Sequence, residues 1–459
     1  MFEDNLDDTI SAISTAQGPG GIGIVRISGP EALSIVSKIF VGKKKEKTTE
    51  FKSYTMHYGK ISDNGKIIDE VILSVMRKPK SYTCQDVVEI NCHGGLVALR
   101  NVLDLTIANG ARLASPGEFT RRAFLNGRID LAQAEAVIDV IRAKTDSALK
   151  VSLGQLSGGL SKEIGKIRQK LLNILVPLEA NIDFPEENLQ QDTAGITQGI
   201  TSIAKELTKL LDNASAGRIL REGIAVVICG KPNVGKSSLL NALLKKERSI
   251  VTSVAGTTRD TVEEMIDIKG IPVRIVDTAG ILSARDLIEK KAVKRSREYI
   301  KLADLVIILF DASSKLEDGD RKLIQEVKNR NVIAVINKID LKSRIEETQI
   351  TEAFHKVVRI CAKTARNIDC LEDALWEFVF KGKLHEPESL IVSNLRHIQA
   401  LKNAKKLIAQ AKEDIAEKLP QELIAQNLKD ACTYLDKILG KNFSEDLLDR
   451  IFTDFCIGK

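Results

Sequence analysis

The chain has 459 residues, enough for two to four domains each with its own core. Hydrophobic content of 43% and charged content of 28% fit a soluble globular protein, and the net charge of +6 permits an RNA partner without requiring one. The start MFEDNLDD is acidic where a signal peptide would be basic, and no apolar run approaches the roughly 20 residues of a membrane span, so an intracellular protein is expected.

Aromatic residues make up only 4%, which argues against a base-stacking surface for single-stranded RNA. The seven cysteines are odd in number and lack CxxC spacing, so they read as reduced thiols of a cytoplasmic protein. Cys84, Cys92 and His93 sketch a metal site with no fourth ligand in view.

Residues 1–120 mix short β-like runs (IGIVRIS, EVILSVM, DVVEINC) with the turn clusters GPGG and SDNG, which predicts an α+β domain. From 121 to 217 the texture is helical. Leu131, Ala134, Val137, Ile138 and Ile141 mark one apolar face, and Ile164, Ile167, Leu171, Leu175 and Leu178 mark a second, which Pro185 stops. Residues 218–382 alternate nearly continuous apolar strands with helices, predicting a mostly parallel sheet covered on both faces. Helical texture resumes over 383–459. The α/β unit is thus expected as an insertion into a discontinuous helical domain, which nearby domain termini tolerate.

The stretch GKPNVGKS (230–237) follows the strand IAVVIC and precedes SLLNALL, the strand–loop–helix context of a P-loop. Its glycines let backbone N–H groups of Asn233, Val234 and Gly235 turn toward phosphates. Lys236 is placed to reach the β- and γ-phosphates, and the Ser237 hydroxyl to bind Mg²⁺, with Ser238 following. The loop Thr252, Ser253, Val254, Ala255, Gly256, Thr257 and Thr258 lies between P-loop and DTAG, and Thr258 offers a second Mg²⁺-ligating hydroxyl. DTAG is Asp277, Thr278, Ala279 and Gly280; the Asp277 carboxylate can approach the Mg²⁺ shell and the Gly280 amide can sense the γ-phosphate. In NKID, Asn337 and Lys338 precede Asp340, whose two oxygens suit the N1–H and 2-amino donors of guanine. CAK (Cys361, Ala362, Lys363) stands where GTPases usually have SAK, with the Ala362 amide available to back up the base contact. These motifs, in this order, predict a Ras-like GTPase domain.

The residue after Gly280 is Ile281, which cannot orient water as the Gln of many GTPases does. Asp286 and Glu289 are the downstream acids that remain. The ending FCIGK leaves Cys456 open between apolar packing and a part in an active site; the sequence Ile-Gly-Lys after it fits no usual prenylation ending.

With these residues placed, the chain resembles the MnmE (TrmE) family of tRNA-uridine-modifying GTPases from end to end. The likeness rests on GGIGIVRISGP, SYTCQDVVEINCHGG, PGEFTRRAFLNGRIDLAQAEAV, the GTPase motifs and FCIGK. The resemblance implies a dimerising N-terminal domain (1–120) that binds a reduced folate, formyl- or methylene-tetrahydrofolate, through Arg26, Glu89, Arg128 and Lys459. It implies K⁺ beside the nucleotide, held by Asn233, Thr252, Val254 and Thr257, and Glu289 as catalytic glutamate. It also implies a chemical role for Cys456 in the C-terminal CIGK motif of a helical domain whose second part is 383–459. Leu282 stands where the family usually has arginine.

The expected function is a homodimeric, K⁺-activated GTP hydrolase. With an FAD-dependent partner, MnmG, in a heterotetramer or larger assembly, it adds a carboxymethylaminomethyl group to C5 of a tRNA wobble uridine. The alternative is a ribosome-assembly-type regulatory GTPase, for which a KH-like GXXG with basic flanks is missing from the sequence.

Overall fold

The structure is a computed structural model and describes residues 7–16, 18–42, 48–184, 193–246, 263–277, 298–380 and 391–459. The chain divides into two compact units, one of Met1–Ile138, Gln155–Gly165 and Cys432–Lys459, the other of Asp139–Gly154 and Lys166–Ala431.

The first unit is built on a sheet whose seven described strands run in the order β3-β4-β5-β6-β2-β1-β7. They are β1 (Ile10–Ile13), β2 (Ile22–Ser28), β3 (Phe40–Gly42), β4 (Thr55–Asp63), β5 (Lys66–Met76), β6 (Val87–His93) and β7 (Arg112–Leu113). The expected turn at SDNG closes the β4–β5 hairpin, with Asn64 and Gly65 at φ +47° and +87° as a tight hairpin turn requires. Alternation along β2 and β6 sends Val25, Ile27, Val88 and Ile90 to the core under the helices Ala32–Ile39 and Leu96–Ala108. The same alternation puts Arg26 and Glu89, directly opposite in register, on the other face. Helices Glu118–Leu125 and Glu445–Thr453 pack together through Ala123, Phe124, Leu448 and Phe452.

The second unit contains the expected parallel sheet. The described strands are β8 (Ile224–Cys229), β9 (Glu263–Ile268), β10 (Ile271–Asp277), β11 (Leu305–Asp311), β12 (Val332–Asn337) and β13 (Val357–Arg359), in the order β13-β12-β11-β8-β10-β9. Only β9, paired with β10 in a hairpin, is antiparallel among these. Continuous apolar strands arise because both faces are covered. Leu305, Ile307 and Leu309 join one core with the helix Ile368–Phe380, while Val306, Ile308 and Phe310 join another with the helix Asp318–Val327.

The helical texture differs from its reading in one respect. The apolar run from Leu131 is two helices, Leu131–Arg142 and Asp146–Leu156, and Ile141 is 46% exposed. Thr145 causes the break. Its hydroxyl accepts from the Ala148 amide at 3.2 Å, starting a new helix, and donates to the Gly270 carbonyl in the β9–β10 turn at 2.8 Å. The second expected face holds: Ile164, Ile167, Leu171, Leu175 and Leu178 are all buried on the helix Gly159–Asp183.

No metal centre forms at Cys84, Cys92 and His93. The His93 Nδ1 lies 2.6 Å from Asp69, burial pushes the Cys92 thiol up to about 12, and no cluster of potential metal ligands occurs among the described residues. No described helix is long and apolar enough to cross a membrane.

Candidate functional site

Parallel strands β8, β11 and β12 end side by side, so the loops that follow them converge at one edge of the sheet. The loop after β8 is the P-loop, leading into the helix Lys236–Lys246. Gly230, Asn233 and Gly235 have φ of +149°, +65° and +103°, which turns successive amides inward as an anion cradle requires. Gly235 could be nothing else, because a Cβ there would stand 2.2 Å from Asn337 Nδ2. Lys236 is buried and donates from Nζ to the Gly230 and Lys231 carbonyls at 2.9 and 2.8 Å, which holds the ammonium over the loop. Ser237 and Ser238 expose their hydroxyl-bearing side chains in the first turn of the helix. The fit to a phosphate with its cation is therefore good on the described side.

Lys231 anchors the loop from outside, with Nζ 2.9 Å from Glu317 and 2.8 Å from Asp320. These two acids form the capping box of the helix Asp318–Val327.

Asn337, at the end of β12, ties the motifs together. Its Nδ2 donates to the Val234 carbonyl at 2.8 Å, and its Oδ1 accepts from the Ala362 amide at 2.9 Å. That amide was expected to face the base; here it is committed to Asn337. Lys338 adopts φ +65° and pairs with Asp311 at 2.6 Å. Burial favours protonation of Asp311, but Lys338 and Ser313 outweigh it and hold its carboxyl below the usual range. Asp340 is exposed, and the Cys361 thiol donates to its Oδ1 at 3.1 Å, the leading cause of its lowered pKa. A cavity of about 440 Å³ opens beside Ser238, Asn241, Lys245, Ala362 and Lys363.

The residues expected around a folate meet in the first unit. Arg26 Nε donates to Glu89 at 2.8 Å, and Arg26 Nη1 donates to the Gly458 carbonyl at 3.2 Å. Ser14 donates to the same carbonyl at 3.0 Å. The tail is seated by backbone: the Gly117 amide donates to the Cys456 carbonyl at 3.3 Å, and the Phe119 amide to Lys459 O at 3.2 Å. Gly458 needs its lack of a side chain, since φ is +93° and a Cβ would lie 2.2 Å from the Ile13 carbonyl. Cys456 is exposed and Lys459 partly so. Arg128 is exposed, with its guanidinium 4.8 Å from the Tyr82 ring centre; Arg26 lies 5.7 Å from the same ring and 5.5 Å from Phe119. Tyr82 and Phe119 are thus part of the cluster that motif reading missed. Their contribution is a ring face, which leaves no spacing signature.

Residues 131–456 match the model of the MnmE helical domain, and residues 9–128 match that of the GTP-binding protein TrmE N-terminus.

The chain belongs to the MnmE family.

It is 46% identical over 460 residues to the tRNA modification GTPase MnmE of Desulforamulus reducens, covering 99% of this chain and 100% of the relative. It is 48% identical over 460 residues to the MnmE of Carboxydothermus hydrogenoformans, with the same coverage. A solved structure of Era from Aquifex aeolicus with GDP·AlF4⁻ is 29% identical over 40% of this chain and 66% of that chain, at a TM-score of 0.28. As a member of the MnmE family, the chain combines that family's N-terminal and helical parts with GTPase motifs. Of the expected nucleotide residues, Thr252, Ser253, Val254, Ala255, Gly256, Thr257, Thr258, Thr278, Ala279 and Gly280 lie outside the described residues, as do Leu282, Asp286 and Glu289.

Proposed function

We propose that this chain hydrolyses GTP and uses the cycle to drive modification of C5 of the wobble uridine in certain tRNAs. The observation that carries the nucleotide reading is the convergence on Asn337, which links the P-loop carbonyl of Val234 to the Ala362 amide beside Asp340. In this reading the P-loop amides and Lys236 bind the phosphates, Ser237 and Thr258 hold Mg²⁺, and Asp340 selects guanine. Mg²⁺ would supply charge neutralisation between the phosphates. Asn233, Thr252, Val254 and Thr257 are the proposed K⁺ ligands, and Glu289 the proposed water-orienting residue.

The second part of the proposal concerns carbon. Arg26, Glu89, Arg128 and Lys459 bind a reduced folate as one-carbon donor, with Glu89 suited to the pterin's 2-amino edge and the cations to its anionic tail. Cys456 is exposed at the same tail and is assigned the modification-linked thiol. The chain works as a homodimer with the FAD-dependent MnmG, and the added group is carboxymethylaminomethyl. Nucleoside analysis of tRNA from cells lacking this protein tests the reading. Loss of the C5-modified wobble uridine is expected, and an unchanged nucleoside profile would sink it.

A further inference from the structure

We propose that Lys231 is a positioning residue for GTP hydrolysis, whose side chain, seated on the helix Asp318–Val327, holds the backbone carbonyl that carries Lys236. The inference rests on the nucleotide reading above and concerns a P-loop residue to which no phosphate contact is assigned.

The ammonium of Lys236 sits on a flexible four-carbon stem, so its place over the loop depends on its acceptors. Two of these are the Gly230 carbonyl at 2.9 Å and the Lys231 carbonyl at 2.8 Å. Each carbonyl must in turn be held. Gly230 is held by the sheet, since it lies so close to β11 that a Cβ would stand 2.7 Å from the Leu309 carbonyl. Lys231 follows beyond the end of β8, and its own side chain supplies the hold.

The Lys231 Nζ lies 2.9 Å from Glu317 and 2.8 Å from Asp320, so one ammonium is shared between two carboxylates. Asp320 is buried and also accepts from the Glu317 amide at 2.9 Å, which fixes it in the first turn of the helix. The aliphatic stem runs past Gly319, where a Cβ would stand 3.3 Å from Lys231 Cδ. Releasing this lysine would strip a buried carboxylate of its cation, which costs more than an exposed ion pair is worth.

The contacts therefore run from a helix cap, through the Lys231 side chain and its carbonyl, to Lys236. In the nucleotide reading that ammonium meets the charge that develops between the β- and γ-phosphates. Because this charge grows in the transition state, a displaced Lys236 lowers kcat more than it raises KM.

The test uses the full-length protein with GTP, and records kcat, KM and thermal midpoint for wild type, Lys231→Met and Lys231→Arg. Methionine keeps an apolar stem and removes the cation; arginine restores a cation with a fork for both acids. Lys231→Met is expected to lower kcat about tenfold with KM changed about threefold or less, and Lys231→Arg to recover most of the rate. Glu317→Gln weakens the same anchor from the helix side and keeps an acceptor for the cap. It is expected to lower kcat about threefold in the wild type and to have no further effect on Lys231→Met. A merely structural lysine would lower the thermal midpoint and leave kcat unchanged at temperatures well below it. That result, failure of arginine to rescue, or independent effects of the two substitutions overturns the proposal. Should Lys231→Met not fold, Glu317→Gln alone carries the test, and a wild-type kcat in that variant overturns it. Wild-type protein that hydrolyses no GTP would overturn the nucleotide reading itself, a separate outcome.

Discussion

Asn337 donates to the Val234 carbonyl at 2.8 Å across 103 positions of sequence, so the end of β12 is tied directly to the P-loop. The side chain is 2% exposed, and both its amide atoms are used.

Replacing it removes a donor and an acceptor from buried partners. Asn337→Ala leaves the Val234 carbonyl and the Ala362 amide unpaired, at a cost of about 1–3 kcal/mol for each buried group. The expected outcome is a lower denaturant midpoint with an unchanged slope, together with GTP affinity reduced about tenfold or more. A variant of wild-type stability and affinity would show that the two loops hold their places without this bridge.

The cation prediction concerns the P-loop Asn233 and the 252–257 loop. If these hold K⁺, hydrolysis by the purified protein should be much faster in KCl than in NaCl at equal ionic strength. Equal rates in both salts exclude the assignment.

If Glu289 orients the attacking water as proposed, Glu289→Ala should abolish most hydrolysis while GTP affinity stays nearly intact, since such an interaction is made only in the transition state. Asp286→Ala is expected to be mild. Single-turnover rates and equilibrium binding separate the two effects, and a fully active Glu289→Ala protein assigns the water to another group.

Gly458→Ala tests the seated tail. A methyl group cannot fit 2.2 Å from the Ile13 carbonyl at φ +93°, so the tail must move and carry Lys459 with it. Loss of one charge-assisted contact corresponds to roughly 1.5–3 kcal/mol, or about ten- to a hundredfold weaker folate binding. Calorimetric titration with a tetrahydrofolate measures this. Unchanged affinity would remove Lys459 from the folate site, and Cys456→Ser, assayed by tRNA modification, separately tests the thiol.

The first unit should be acid-labile for an identifiable reason. Arg122 is buried between Asp8 and Glu118, and Arg112 pairs with both acids. Burial alone would raise both carboxyls, but the arginine hydrogen bonds outweigh it and hold them below their ordinary values of 3.8 and 4.5. Because the folded-state pKa values are depressed, the contribution is fully present above those ordinary values. It is lost as pH falls through the folded-state ones. Acid unfolding followed by circular dichroism should therefore steepen below about pH 4.5, and Asp8→Asn should flatten the curve there. A wild-type curve flat across that range would contradict the account.

Much of this molecule is decided by local chemistry and is readable along the chain. Continuous apolar runs such as LVIILFD must be strands buried on both faces, and GKPNVGKS between a strand and a helix must turn its amides toward an anion. Asp340 and Lys236 announce themselves because short motifs keep their chemistry within a few residues. Tertiary structure decided what depends on distant partners. The break at Thr145 follows from a hydroxyl that meets the Gly270 carbonyl 125 positions away, which helical periodicity cannot register. The Ala362 amide is spoken for by Asn337, and the Cys361 thiol is aimed at Asp340, because two strands end side by side and fix their loops. The tail reaches Arg26 across 432 positions, through backbone carbonyls that every residue possesses, so no residue type marks the contact. Its one local sign is Gly458, where the approach of Ile13 leaves no room for a side chain.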